Sequence, residues 1–206
     1  MNHPFASHRK PRLTCDVVLI LALAIAVSSV TWIGAGCGSP EATRAGALPD
    51  ISLVDQNGKP VVLSSLKGKT LLVDFIYTSC PGPCRTITLS MEGVAAKLGP
   101  ALGPRVAFVS ISIDPEHEGP PQLLSYARKL NAERAGWLFL SGGPEEIDSV
   151  LAAFHLKRER APDGEIEHLK EVMLIAADGR TLKVHKGDVL HADSVLADLR
   201  RAGVHG

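Results

Sequence analysis

Residues 70–91 read TLLVDFIYTSCPGPCRTITLSM: an apolar run from Leu71 to Tyr77 leads into Cys80 and Cys84, four positions apart. A short, nearly continuous apolar segment without alternation reads as a strand buried on both faces. If Cys84 lies in the first turn of the following helix, its side chain and that of a residue four positions away share one face, close enough to form a disulfide or grip one soft ion. Amide groups at a helix N-terminus favour thiolate over thiol, and thiolate is both nucleophile and ligand. A structural disulfide or two inert buried cysteines is the plain alternative in an exported chain. The strand-to-helix junction argues against it, because open α/β sheets place their sites there.

Outward from this stretch, strands and helices alternate. ISLVDQNGKPVVLSSL, residues 51–66, gives two short β runs around Asn57-Gly58, a hairpin signal. The spacing predicts a helix over 84–98, weakened by Gly93, then the buried strand VAFVSISI closed by Asp114-Pro115, and a helix over 121–131. WLFL reads as a strand and 145–154 as a helix with acidic residues in its first turn. VMLIAADGRTLKVH makes a hairpin turning at Asp178-Gly179, and 191–202 closes as a helix. The pattern is α/β: a mixed sheet with helices on both faces and an N-terminal β-hairpin, compatible with a thioredoxin-like fold.

The 206 residues suit one domain over 49–206, preceded by a leader and a short tether over 41–48. With 22 basic against 22 acidic side chains and 4% aromatic residues there is no basic stripe and no stacking platform, which argues against a nucleic-acid partner. Residues 1–40 read as a signal or membrane anchor, with His8, Arg9, Lys10 and Arg12 before an apolar run that begins at Val17. Counted to Gly36 the run is just long enough to span a bilayer with its basic flank in the cytoplasm. Alternatively, Ala35-Gly36-Cys37 resembles the approach to a lipoprotein cleavage cysteine, with Gly34 where a large aliphatic residue is usual; simple secretion is a third possibility. All three deliver the domain outside the cytoplasm, and either anchor holds it on the outer face of the cytoplasmic membrane, facing the periplasm or extracytoplasmic space.

Cys15 and Cys37 belong to the leader, so Cys80 and Cys84 are alone in the folded domain. In an oxidising compartment two such thiols pair unless a reductase or a metal prevents it. A metal needs further ligands, and His117, His155, His168, His185, His191 and His205 are available. Two thiolates and one imidazole suit Cu(I), and Cu(II) with added oxygen ligation; zinc could use the same atoms. Any single histidine is more often a solvated surface residue than a ligand. His168 differs because it precedes the apolar strand VMLIAA and can project from a strand mouth toward the cysteine loop.

FIYTSCPGPC, SISIDPEHEGPPQLLSYARKL, WLFLSGGPEEIDSVLAAF and HLKEVMLIAADGR, in this order, resemble the Sco/SenC family of copper-binding thioredoxin-like proteins. The resemblance runs from about Pro49 to the last helix. It implies one copper ion held by two cysteines and a distal histidine, which map onto Cys80, Cys84 and His168. It further implies a part in assembling the copper A centre of cytochrome c oxidase, with subunit II or another copper acceptor as partner. The residues alone leave zinc, or no metal, open.

Two departures stand out. Arg85 follows the second cysteine where the family usually has proline, and a positive charge there is expected to lower the cysteine pKa values. Lys170 and Glu171 follow His168 in place of small or apolar residues. Asp74 reads either as a proton acceptor for the thiols or as a partly exposed strand-end carboxylate, and Asp114 as a turn residue. The same redox-active Cys80 and Cys84 pair would serve a thiol-disulfide oxidoreductase, with His168 or Asp74 handling protons. A peroxiredoxin fits less well, since Thr78 lies two residues before Cys80 where those enzymes place a threonine three before.

Overall fold

The computed structural model describes residues 48–168 and 170–204. The leader, Cys15, Cys37, most of the tether and His205 lie outside the described residues. Among the described residues no helix is long and apolar enough to cross a membrane.

The strand predicted at the cysteines is β3 (Thr70–Ile76), with all seven residues buried. It lies between β4 (Val106–Ser112), to which it is parallel, and β8 (Glu171–Ile175), to which it is antiparallel. Neighbours on both edges and helices on both faces explain why an unbroken apolar run, with Asp74 its one charge, is needed here. Outward from β4 come β5 (Trp137–Ser141), β1 (Ser52–Asp55) and β2 (Pro60–Val62); β9 (Thr181–Lys186) closes the other side, giving the order β2-β1-β5-β4-β3-β8-β9. The β1–β2 hairpin turns at Asn57-Gly58, where Gly58 has φ 78° and Asp55 accepts from the amides of Asn57 and Lys59. Its second arm is short, because Leu63–Leu66 turns into a 3-10 helix.

The β3-to-β4 crossover is α1 (Pro83–Leu98), with Pro83 at its first position, where the missing amide costs nothing. Gly93 does not end it. The buried stripe Ile87, Met91, Val94, Ala95 and Leu98 outweighs the roughly 1 kcal/mol that a mid-helix glycine costs. α2 (Pro120–Lys129) joins β4 to β5 and α3 (Pro144–Ala153) follows β5. Tyr126 of α2 packs on Phe139, which shares a sheet face with Asp74, whereas Phe154 beyond α3 packs on Phe75, one residue along β3 and therefore on the opposite face. Thr88 of α1 hydrogen-bonds Tyr126, and α4 (Ala192–Arg201) packs against α1 through Lys97–Asp193. Helices therefore cover both faces of this mixed, thioredoxin-like sheet, as the sequence pattern predicts.

One element has no counterpart in the sequence reading. β6 (Arg158–Arg160) and β7 (Ile166–His168) form an antiparallel ribbon separate from the main sheet. Three-residue polar strands carry no periodic signal, although Pro162-Asp163-Gly164 is a turn signature, and Ala161 closes that turn with Gly164 and Glu165. The ribbon brings His168 to the end of the sheet where β3 delivers the cysteines.

Candidate metal and thiol site

The chain leaves β3 at Ile76, and Cys80 is reached through a turn closed by its own amide donating to the Tyr77 carbonyl. Gly82 caps α1, so Cys84 sits at the second helical position, 3% exposed, while Cys80 is half-buried. The two thiols are not bonded to one another. The Cys84 thiol hydrogen-bonds the Cys80 sulfur, and this is the largest influence pulling the Cys80 pKa down to about 5; burial opposes it, and the amides of Gly82 and Cys84 and the Tyr77 hydroxyl assist. Cys84 is driven the other way, by the same hydrogen bond and by burial. Cys80 is thus the thiolate and Cys84 its proton-bearing neighbour. Arg85, expected to acidify the pair by its charge, is not among these principal influences. It is exposed and lines an open cleft of about 480 Å³ beside Cys80, together with Thr78, Gln122, Tyr126 and Lys129. The Cys84 thiol, the amides at the helix terminus and Tyr77 are the leading causes that lower the Cys80 pKa.

The turn carrying Cys80 is held from beneath by Glu118, a residue sequence reasoning missed. Its buried carboxylate accepts from the Thr78 amide and, at 2.6 Å, from the Ser112 hydroxyl, while the Ser141 hydroxyl donates to its carbonyl. Burial pushes its pKa up. Asp114 forms the expected turn, its carbonyl accepting from the amides of His117 and Glu118. It also binds Arg160, which no local signal announced.

Asp74 is 1% exposed in mid-strand, so the reading of it as a partly exposed strand-end group is wrong. Its Oδ1 accepts from Ser110 Oγ at 2.6 Å, which in turn accepts from Trp137 Nε1 at 3.0 Å, while Oδ2 has no partner. Burial is the main cause that raises its pKa to about 7.

Of the described histidines, His168 is the one placed against the cysteine turn. Its ring packs edge-on to Tyr77, centroids 6.0 Å apart, and the Tyr77 hydroxyl bonds both the Cys80 sulfur and the backbone of Ile166. His168 Nδ1 lies 3.0 Å from the Ile166 carbonyl, to which it donates, and its Nε2 is buried with no partner. An unpaired buried polar atom costs about 1–3 kcal/mol. An Nδ1–H tautomer with a bare, directed Nε2 lone pair is the arrangement of a metal-ligating imidazole. The other described histidines stand elsewhere: His117 pairs with Asp114, His185 has its buried Nε2 3.2 Å from an Asp198 carboxylate oxygen but outside hydrogen-bond geometry, and His155 and His191 are exposed at helix ends. Among the described residues no three His, Cys, Asp or Glu side chains stand close enough to hold an ion. The cysteines are together, and His168 is one aromatic ring away. The donors available, two sulfurs and an unpartnered imidazole nitrogen, match a soft ion's requirements.

Fold and site together define a thioredoxin-like domain with a CxxxC pair at a helix N-terminus and a histidine facing it. A sequence model of the SCO1/SenC family matches residues 40–203, and the chain belongs to this family. It is 34% identical over 155 residues to the SCO1 protein homologue of Bacillus subtilis, covering 72% of this chain and 78% of that one. The structure of Bradyrhizobium japonicum ScoI with copper bound aligns over 76% of this chain and 99% of its own, at 31% identity and TM-score 0.67. That of BsSco, described as a member of the Sco family of cytochrome c oxidase assembly proteins with a disulfide switch, aligns over 79% and 96%, at 30% identity and TM-score 0.66.

A carboxyl whose folded pKa lies above its unfolded value stabilises least once both states are ionised. Relative to the native protein, Asp74→Asn should therefore gain stability as pH rises from about 3.8 to about 7, and the gap should then level off. Chemical denaturation across that range reads it directly, and a gap independent of pH would mean that Asp74 titrates normally.

Proposed function

We propose that the protein binds one copper ion through Cys80, Cys84 and His168 and passes it to an acceptor during assembly of the copper A centre of cytochrome c oxidase, subunit II being the acceptor that fits the family. The observation that carries this reading is the buried, unpartnered His168 Nε2 beside the cysteine turn. A pure dithiol reductase has no use for a second, desolvated ligand atom. The copper-bound relative supports the choice of metal over zinc. Copper is cargo here. The thiolate of Cys80 faces the open cleft and is the sulfur an acceptor can approach, while Cys84 surrenders its proton on metallation. Completing the ligand set requires the His168 side chain to turn past the Tyr77 ring toward the sulfurs.

The asymmetry of the thiols supports a second reading, thiol-disulfide exchange. The Cys80 thiolate would attack an acceptor disulfide, forming a mixed disulfide and expelling one acceptor thiolate. Cys84, losing its proton, would then attack Cys80 and release the second, leaving the acceptor reduced and this domain oxidised by the same two electrons. BsSco, with its disulfide switch, is the relative that makes this worth separating from delivery.

The reduced full chain should take up one Cu(I). Cys80→Ser or Cys84→Ser should abolish binding, and His168→Ala should weaken it by more than the roughly tenfold that losing even an outer partner of a metal ligand costs. Oxidase activity and copper A content in membranes of cells carrying each substitution then separate the two functions. Normal oxidase with His168→Ala, beside none with Cys80→Ser, would establish thiol reduction in place of copper delivery.

The N-terminal segment is proposed to hold the domain on the outer face of the cytoplasmic membrane, through the apolar run or a lipid on Cys37. Membrane fractionation with protease added to intact spheroplasts should find the domain membrane-bound and cleavable; protein free in the cytoplasm would remove the compartment argument.

A further inference from the structure

The ribbon that carries His168 has no hydrogen-bonded neighbour in the main sheet, and a two-stranded ribbon is marginal by itself. Arginines hold it. Arg158, directly opposite His168 in the ribbon register, reaches three separate elements. Its guanidinium forks onto Glu116 at 2.9 and 3.0 Å, its Nε donates to Asp148 of α3 at 2.9 Å, and it donates to the Ile113 carbonyl where β4 ends, at 3.1 Å. Arg160, opposite Ile166, binds the buried carboxylate of Asp114 and ties the ribbon's own turn through the Gly164 carbonyl at 3.1 Å. Directly opposed residues of an antiparallel pair project to the same face. The Arg158 fork therefore fixes the strand backbone that sets where the imidazole sits. Bidentate pairing of this kind fixes orientation as well as distance, and Arg158 is sheltered enough, at 15% side-chain exposure, for it to persist. Ile166, which carries the hydrogen bonds to both Tyr77 and His168, is the other buried fixture of the ribbon.

We propose that Arg158 and Arg160 are positioning residues: with Glu116, Asp114 and Asp148 they form an ion-pair clamp that presents His168 to the cysteines and so sets how strongly the site holds an imidazole-dependent cargo. The metal half of this inference rests on the copper reading above; the clamp itself does not. Cu(I) is held chiefly by the two thiolates, whereas Cu(II) depends more on nitrogen ligation, so loosening the clamp acts selectively on Cu(II).

The test uses the purified full chain carrying Arg158→Gln with Arg160→Gln, and separately Glu116→Gln, a milder change outside the ribbon that serves where the double variant does not fold. In the metal-free protein, hydrogen exchange at the Ile166 amide should accelerate by about tenfold or more, since a local opening has lost its restraint. In the metal-loaded protein, Cu(II) affinity should fall by about 10- to 100-fold, with a changed visible spectrum, and Cu(I) affinity much less. Arg158→Lys should not restore the native values, because an ammonium cannot make the fork. Unchanged Ile166 exchange in a folded variant overturns the clamp, and so does an equal loss of Cu(I) and Cu(II) affinity, which marks general damage. Faster Ile166 exchange in a protein whose native form binds no copper would keep the clamp and discard the copper reading.

Discussion

Cys84 keeps its proton because it is buried and hydrogen-bonded to Cys80, and that same hydrogen bond is the largest reason Cys80 gives its own proton up. The start of α1 therefore accepts one negative charge at the pair and resists a second. A second thiolate becomes stable only if something compensates it: a cation held by both sulfurs, or loss of the charge altogether in a disulfide. Metal binding and thiol oxidation are in this sense two answers to one electrostatic constraint, and both can be expected of the same two residues. The proposed metal reading draws on a feature outside the pair, an imidazole nitrogen that the fold keeps buried and unpartnered nearby.

The surrounding structure can be understood as support for that constraint. Glu118 pins the cysteine turn to β4 and β5, Tyr77 links the Cys80 sulfur to the ribbon, and Asp74 lies buried on the sheet face shared with α1. Each of these groups is buried at a cost in desolvation, and two of the unpartnered atoms, Asp74 Oδ2 and His168 Nε2, belong to the region of the site. In a fold whose net stability is of the order of 5–15 kcal/mol, carrying such atoms is a substantial concession. Burial of the flanking strands, from Leu71 to Ile76 and from Val106 to Ile113, supplies the core that tolerates it.

Much of this is legible in the chain. β3, β4 and the helix after the cysteines follow from the spacing of their apolar residues, and the two hairpins from Asn57-Gly58 and Asp178-Gly179, because these signals are local. Cys80 and Cys84 stand out for the same reason. The place of His168 before a strand marks it, but its contact with Tyr77 depends on a ribbon that a periodic reading cannot detect. Arg158, Arg160 and Glu118 act across 42 to 46, and 40, sequence positions respectively, and long-range pairing of charged side chains leaves no trace in local pattern. Arg85 is a different case: proximity in sequence suggests a leading influence on the thiols, whereas the leading influence on Cys80 is the Cys84 thiol, and Arg85 is an exposed residue lining the same cleft.

The most direct test of copper ligation by Cys80, Cys84 and His168 is X-ray absorption at the copper edge on the loaded, reduced full chain and its histidine variants. Two sulfur neighbours and one imidazole nitrogen are predicted, with the imidazole scattering lost in His168→Ala and retained in His117→Ala. A shell of sulfur alone, or an imidazole signal that disappears with His117 instead, would contradict the assignment of the site.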